Sequence, residues 1–244
     1  YTTARDVAIL SLATIRDFPE YYPWYSEKEF TFNNIRQHNR NTLLWRDPAI
    51  DGLKTGHTEA AGYCLAASAK QDGMRLVSAV MGSSSESSRA SESQTLLNYG
   101  FRFFETVQLY KAGQELASAR VWKGLTEQVE LGLDEDLFVT IPRGRYDDLE
   151  AQVELEPQLT APLDAGAVVG TISVKLGDEL VASRELHTLS PVEEAGFFGS
   201  MWDSMKLWVD GMMEDEPEEP GSEESQPAGI PLRVPDHGDG EKQR

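Results

Sequence analysis

The sequence contains one cysteine, Cys64. It cannot form an internal disulfide, so a disulfide framework is excluded, while the redox state of the compartment stays open. Its place in the apolar run AGYCLAASAK predicts a buried, inert thiol. Cations are scarce: 22 Lys and Arg face 41 Asp and Glu, for a net charge of -19. Such a surface repels phosphate backbones and anionic lipid, which sets nucleic-acid binding aside. No run of about 18 apolar residues occurs, so no membrane-spanning helix is expected. The sequence opens at Tyr1 with neither methionine nor signal peptide, and Thr3 already holds a helix N-cap position, as in a processed or truncated chain. What remains, 40% hydrophobic and 26% charged over 244 residues, is a soluble globular composition with room for one large or two ordinary domains.

TARD, Thr3 to Asp6, has capping-box spacing with Asp in place of Glu or Gln, and leads into VAILSLATI, apolar nearly all round. A buried helix stopping near Pro19 is expected. Lys28 to Trp45 alternates around Phe30, Phe32 and Ile35, then turns through a His, Asn and Arg cluster into Leu43 and Leu44, which predicts a hairpin. AGYCLAASAK and MRLVSAVMG, joined by QDG, predict a second hairpin covered on both faces. The serine-rich Ser83 to Glu86 caps a helix carrying Leu96, Leu97 and Tyr99 and ending at Gly100. From Glu105 to Leu189 only short alternating segments occur (ELASARVW, QVELGL, LFVTIP, LEAQVEL, VVGTISVKL and ELVASREL), with a two-residue turn at Gly177 and Asp178. Strands at this spacing predict a small β-sandwich or barrel, a second domain.

DGLKTGHT, Asp51 to Thr58, carries the chemistry. A lysine at a strand edge supplies fixed positive charge, a threonine hydroxyl donates to a carboxylate, and a glycine lets a substrate backbone lie alongside the strand. The triplet alone reads more readily as a solvated lysine near a turn.

The context is more specific. SxxK, SDN and KTG form the motif set of penicillin-binding proteins and class A β-lactamases. The chain resembles the low-molecular-weight penicillin-binding proteins, the serine D-Ala-D-Ala carboxypeptidases of the penicillin-binding protein 5 type. The resemblance runs through TTARD, KEFTFNNIRQHNRNTLLW, IDGLKTGHTEAAGYCLAASAK, MRLVSAVMG, LLNYGFRFFETV, TIPRGR, APLDAGAVVGTI and GFFG, roughly residues 1 to 210. It implies an α+β fold: part of a transpeptidase/β-lactamase-like domain, with an antiparallel sheet and helices (1–104), then a small all-β sandwich (105–190), an amphipathic helix (191–213) and an acidic disordered tail (214–244). It further implies that Lys54 is catalytic, and that Thr55, Gly56, His57 and Arg40 bind substrate. Thr55 and Arg40 would hold the terminal carboxylate of a peptidoglycan stem peptide ending in D-Ala-D-Ala, and the backbone N–H of His57 would serve the oxyanion hole. The His57 side chain reads equally as a rim histidine. No metal or organic cofactor is implied, and β-lactams would act as inhibitors.

The sequence departs from the family's pattern. No serine fits SxxK or SxN; Ser26, Ser68 and Ser204 have lysine two residues on, not three. On a helix only the i, i+3 spacing puts nucleophile and base on one face. The nucleophile, its base and the second motif are expected upstream of Tyr1, and the chain alone is expected to be inactive.

Gly196 to Met213 places Phe198, Met201, Trp202, Met205, Trp208, Val209 and Met212 on one helical face. The resemblance implies a periplasmic protein resting on the outer face of the cytoplasmic membrane through Phe197, Phe198, Trp202 and Trp208. Lys206 is the sole cation there, against Asp203 and Asp210, so anionic lipid adds no attraction, and docking of the helix on its own sandwich stays open. Residues 214–244 hold ten acids and three bases, net -7, and are expected to be disordered. The alternative to an enzyme is a non-catalytic periplasmic module that binds peptidoglycan or membrane.

Overall fold

A capping box opens the chain in the computed structural model, which describes residues 1–196 and 229–235. The Thr3 hydroxyl accepts from the Asp6 N–H at 3.1 Å, and the Asp6 carboxylate accepts from the Thr3 N–H at 2.9 Å. These bonds, the Thr3 backbone first, hold the Asp6 carboxyl below its usual range. The helix α1 runs Ala4–Asp17. It is not the buried helix expected: Ile9, Leu10 and Leu12 are exposed. A stripe at i, i+4 and i+8 (Val7, Ser11, Ile15) turns inward, with Val7 and Ile15 against Tyr22, Leu53 and Ala66.

The described residues fall into two units, Tyr1–Glu105 and Thr106 onward. In the first, β1 (Glu29–Phe32) and β2 (Ile35–His38) form a hairpin. Its turn is Asn33–Asn34, both at positive φ, and lies earlier than the expected His, Asn and Arg cluster. Asparagine tolerates the left-handed conformation that a two-residue hairpin turn needs. After a short α2 (Leu43–Arg46), β3 (Ile50–Thr58), β4 (Gly62–Gln71) and β5 (Met74–Ser83) make an antiparallel sheet in that order. The QDG joint is the β4–β5 turn, with Asp72 and Gly73 at positive φ.

Ser85 caps α3 (Glu86–Phe103) by accepting from the Ser88 N–H. The helix does not end at Gly100 as expected. A Cβ at that position would lie 2.4 Å from Leu76 Cδ1, so the glycine serves close packing of α3 on β5. Leu43, Leu44, Ile50, Leu65, Ala67 and Leu97 form the core between helices and sheet. Cys64 is half-buried on β4, short of the burial expected, with its thiol 3.4 Å from the Ala61 carbonyl.

The second unit is all β. Its strands are β6 (Phe104–Tyr110, entering from the first unit), β7 (Ala117–Trp122), β8 (Gln128–Gly132), β9 (Leu137–Pro142), β10 (Leu149–Leu155), β11 (Leu159–Thr160), β12 (Val168–Leu176), β13 (Glu179–Thr188) and β14 (Ile230–Leu232). Their order is β11-β7-β8-β13-β12-β10-β14, with a β6–β9 ribbon. β9 alternates buried and exposed without a break, and Leu137, Val139 and Ile141 share one core with Leu109, Val129, Ile172, Val174 and Leu186. Gly177 and Asp178 make the expected turn, with Leu176 facing Glu179.

β14 lies within the stretch expected to be disordered, so that expectation does not hold over 229–235. The expected amphipathic helix, with Phe197, Phe198, Trp202 and Trp208, lies outside the described residues. No helix among the described residues is long and apolar enough to cross a membrane.

Candidate active site

Lys54, Thr55, Gly56 and His57 lie in the second half of β3, at the edge of the sheet formed by the described residues. The strand changes character along its length: Gly52 and Leu53 are buried, whereas Lys54, Gly56 and His57 are exposed and Thr55 is half-buried. The pairing of Leu53 to Ala67 through His57 to Tyr63 fixes this register. The motif therefore sits within a strand, one residue past the point where it leaves the core. The Lys54 ammonium donates to the Thr55 carbonyl, and the His57 ring lies 4.0 Å from the Tyr63 ring, centroid to centroid.

Gly56 carries a specific signal. A Cβ built there would meet only the Cys64 Cβ, at an ordinary 3.8 Å. Packing of the chain therefore does not demand glycine at this position. At Gly52, on the same strand, a Cβ would fall 2.5 Å from the Tyr22 hydroxyl oxygen, so there glycine is a packing requirement.

Arg40 is exposed, on the loop between β2 and α2. Two asparagines hold that loop. Asn39 Nδ2 donates to the Tyr25 and Glu27 carbonyls, and buried Asn41 donates to the Gly52 carbonyl at 2.9 Å while its Oδ1 accepts from the Leu43 N–H. The His, Asn and Arg cluster of the sequence is thus the tie between loop and strand, and Arg40 is carried with it.

Sequence reasoning missed Arg89. It is 2% exposed on α3; Nη1 donates to the Gly56 carbonyl at 3.3 Å and Nη2 to the Arg40 carbonyl at 3.4 Å. Its guanidinium also lies 5.5 Å from the Tyr63 ring centroid and pairs with Glu86 at 3.4 Å. One fork thus joins Gly56 to the Arg40 loop, a planar geometry lysine cannot reproduce. The residues Lys54, Thr55, Gly56, His57 and Arg40 are brought together around it through the backbone.

A second network underlies the start of β3. Arg75 donates to Asp51 at 3.0 and 2.7 Å and to the fully buried Ser68 hydroxyl at 2.6 Å. Burial opposes the Arg75 charge, but the Asp51 carboxylate outweighs it and holds the guanidinium above its usual range. Burial, with Asp51 adding, pushes the Tyr22 phenol up to about 12. Ser68 is thus committed to structure.

A lysine-threonine-glycine edge on a helix-backed antiparallel sheet, followed by an all-β unit, is the arrangement of a penicillin-binding protein's transpeptidase-like domain and its β domain. Residues 1–85 match the D-alanyl-D-alanine carboxypeptidase family, and residues 104–194 match the penicillin-binding protein 5 C-terminal domain. The chain is 50% identical over 209 residues to D-alanyl-D-alanine carboxypeptidase DacA of Escherichia coli, a match covering 85% of this chain and 52% of that protein. It is 31% identical over 215 residues to carboxypeptidase DacF of Bacillus subtilis, covering 86% and 55%. Penicillin-binding protein 5 of Haemophilus influenzae superposes with a TM-score of 0.72 at 46% identity, over 80% of this chain and 57% of that structure. Over these spans the chain is similar to the D-alanyl-D-alanine carboxypeptidases of the penicillin-binding protein 5 type, and it spans about half the length of the curated relatives it matches.

Proposed function

We propose that the chain supplies one wall of a serine D-Ala-D-Ala carboxypeptidase site. In that reaction a serine oxygen forms a bond to the penultimate D-Ala carbonyl carbon, the C–N bond breaks, and terminal D-Ala leaves with the serine's proton; water then hydrolyses the ester. Lys54 contributes positive potential and helps organise proton transfer. Thr55 and Arg40 hold the substrate's terminal carboxylate, and the His57 N–H donates to the developing oxyanion. β-Lactams occupy the same groove and trap the acyl-enzyme. The observation that carries this reading is the open edge at Gly56, tied by Arg89 to the Arg40 loop.

The sequence holds neither SxxK nor SxN, so nucleophile and base must come from polypeptide outside these 244 residues. Exposed apolar side chains support a covering partner segment. Leu10 is 68% and Phe32 67% exposed, with Leu12, Phe30 and Ile35 also open. The reading as a non-catalytic module is not favoured, given the carboxypeptidase relatives. A periplasmic location is the family's, and the sequence at Phe197, Phe198, Trp202 and Trp208 suits docking on the outer face of the cytoplasmic membrane.

The test is a chimera that joins this chain to the part of the Escherichia coli relative outside the matched span, challenged with labelled penicillin. The parent chimera should be acylated, and Lys54→Ala should slow acylation at least about a hundredfold. Equal labelling of both would remove Lys54 from the mechanism.

A further inference from the structure

Strand β14 comes from the far end of the chain, yet it is built into the all-β unit. Ile230, Pro231 and Leu232 pair antiparallel with Val153, Gln152 and Ala151 of β10, which would otherwise be the edge of the sheet among the described residues. From Pro231 on the segment alternates, with Leu232 and Val234 packed against the core and Pro231 and Arg233 exposed, whereas Ile230 at the strand's start is 50% exposed. Two tyrosines then take hold of the backbone just past the strand. The Tyr110 hydroxyl donates to the Arg233 carbonyl at 3.2 Å, and the Tyr146 hydroxyl to the Pro235 carbonyl at 2.8 Å. Both rings are buried, Tyr110 at 3% and Tyr146 at 8% exposure, so each hydroxyl is directed at this segment from inside the unit.

A ladder to the backbone, alternate side chains set into apolar seats, and two fixed donors for main-chain carbonyls are the elements of strand-addition peptide recognition. The seven residues Gly229–Pro235 follow fifteen (214–228) with seven acids and no base, and they contain Ile230, Leu232 and Val234 at alternate positions. The segment that docks is thus chemically unlike the stretch before it.

We propose that the edge of β10, with the Tyr110 and Tyr146 hydroxyls, is a peptide-binding site for an extended segment that is apolar at alternate positions, and that Gly229–Pro235 of the same chain is its occupant. The 32 residues 197–228 connect Gly196 to this segment. Such a tether turns docking into an intramolecular event, with an effective concentration of order millimolar. Occupancy covers an edge that would otherwise pair with other chains, and Pro231 removes a donor from the new outer strand, which discourages further addition.

The test is amide exchange at Ala151 and Val153, the β10 residues whose N–H groups face β14, in the full chain and in its L232D/V234D variant. In the variant, exchange at these amides should rise about tenfold or more, with β8 and β12 unchanged. The free peptide GIPLRVP, added at millimolar concentration, should restore protection to the variant and leave the parent unaffected. Equal protection in parent and variant would overturn the proposal. So would protection in the parent that depends on protein concentration, because the strand would then come from a second copy. If the double variant unfolds, Tyr110→Phe serves instead. It removes one donor, should speed exchange at the same amides about fivefold, and would refute the site if it left them unchanged.

Discussion

Two glycines four residues apart on β3 separate a packing demand from a functional one. Gly52→Ala places a methyl 2.5 Å from the Tyr22 hydroxyl oxygen and 3.2 Å from its ring carbon Cζ. Tyr22 cannot swing away, because it is 6% exposed and its hydroxyl is bonded to Asp51. Overpacking of this kind costs about 2–3 kcal/mol. For a unit the size of Tyr1–Glu105 that lowers Tm by about 10–15 °C. Gly56→Ala meets only the Cys64 Cβ at 3.8 Å, and its backbone is not left-handed. The loss of unfolded-state freedom then makes it neutral or stabilising by about 0.5 kcal/mol, a rise of ~3 °C at most. Thermal unfolding of the two variants by circular dichroism reads the difference. In the chimera, G56A should still slow acylation by penicillin about tenfold, since the methyl enters the space a ligand backbone needs. If Gly56→Ala destabilised as much as Gly52→Ala, the glycine would be explained by packing and the open-edge argument would fail.

Arg89→Ala should cost the first unit about 2 kcal/mol in urea unfolding, from two charge-assisted bonds and a cation–π contact. Arg89→Lys should recover less than half of that, since one ammonium cannot span both carbonyls; full recovery would mean that only the charge matters. Alkaline titration should weaken both units, because burial raises the phenols of Tyr22 and Tyr110 to about 12. A raised folded-state value means that the native state holds the proton longer, so stability is fully present below pH 10 and is lost between about 10 and 12. Urea midpoints that stay flat across that window would contradict the burial of both hydroxyls.

The strands of the second unit were legible because alternation survives wherever one face of a sheet meets a core. LFVTIP and LEAQVEL coincide with β9 and β10, and the Gly177–Asp178 turn fixed the β12–β13 pairing. The lysine-threonine-glycine edge was legible as a motif. Arg89 was not: its partners Gly56 and Arg40 lie 33 and 49 residues away, and a lone arginine in a serine-rich helix start carries no periodic signal. The same holds for Asp51 and Arg75, which meet across 24 residues. β14 was hidden by composition, because the seven residues Gly229–Pro235, two of them prolines, vanish in the average of an acidic tail. Gly100 misled for another reason. A glycine late in a helix reads as a terminator, and only the position of Leu76 shows that it is there for contact.

The central claim is that Lys54 and its neighbours form one wall of a site whose nucleophile lies on other polypeptide. Release of D-alanine from a stem peptide ending in D-Ala-D-Ala, measured for the 244-residue chain alone and for the chimera, tests it most directly. The chimera should release D-alanine and the chain alone should not. Turnover by the chain alone, or a folded chimera that releases no D-alanine, would contradict it.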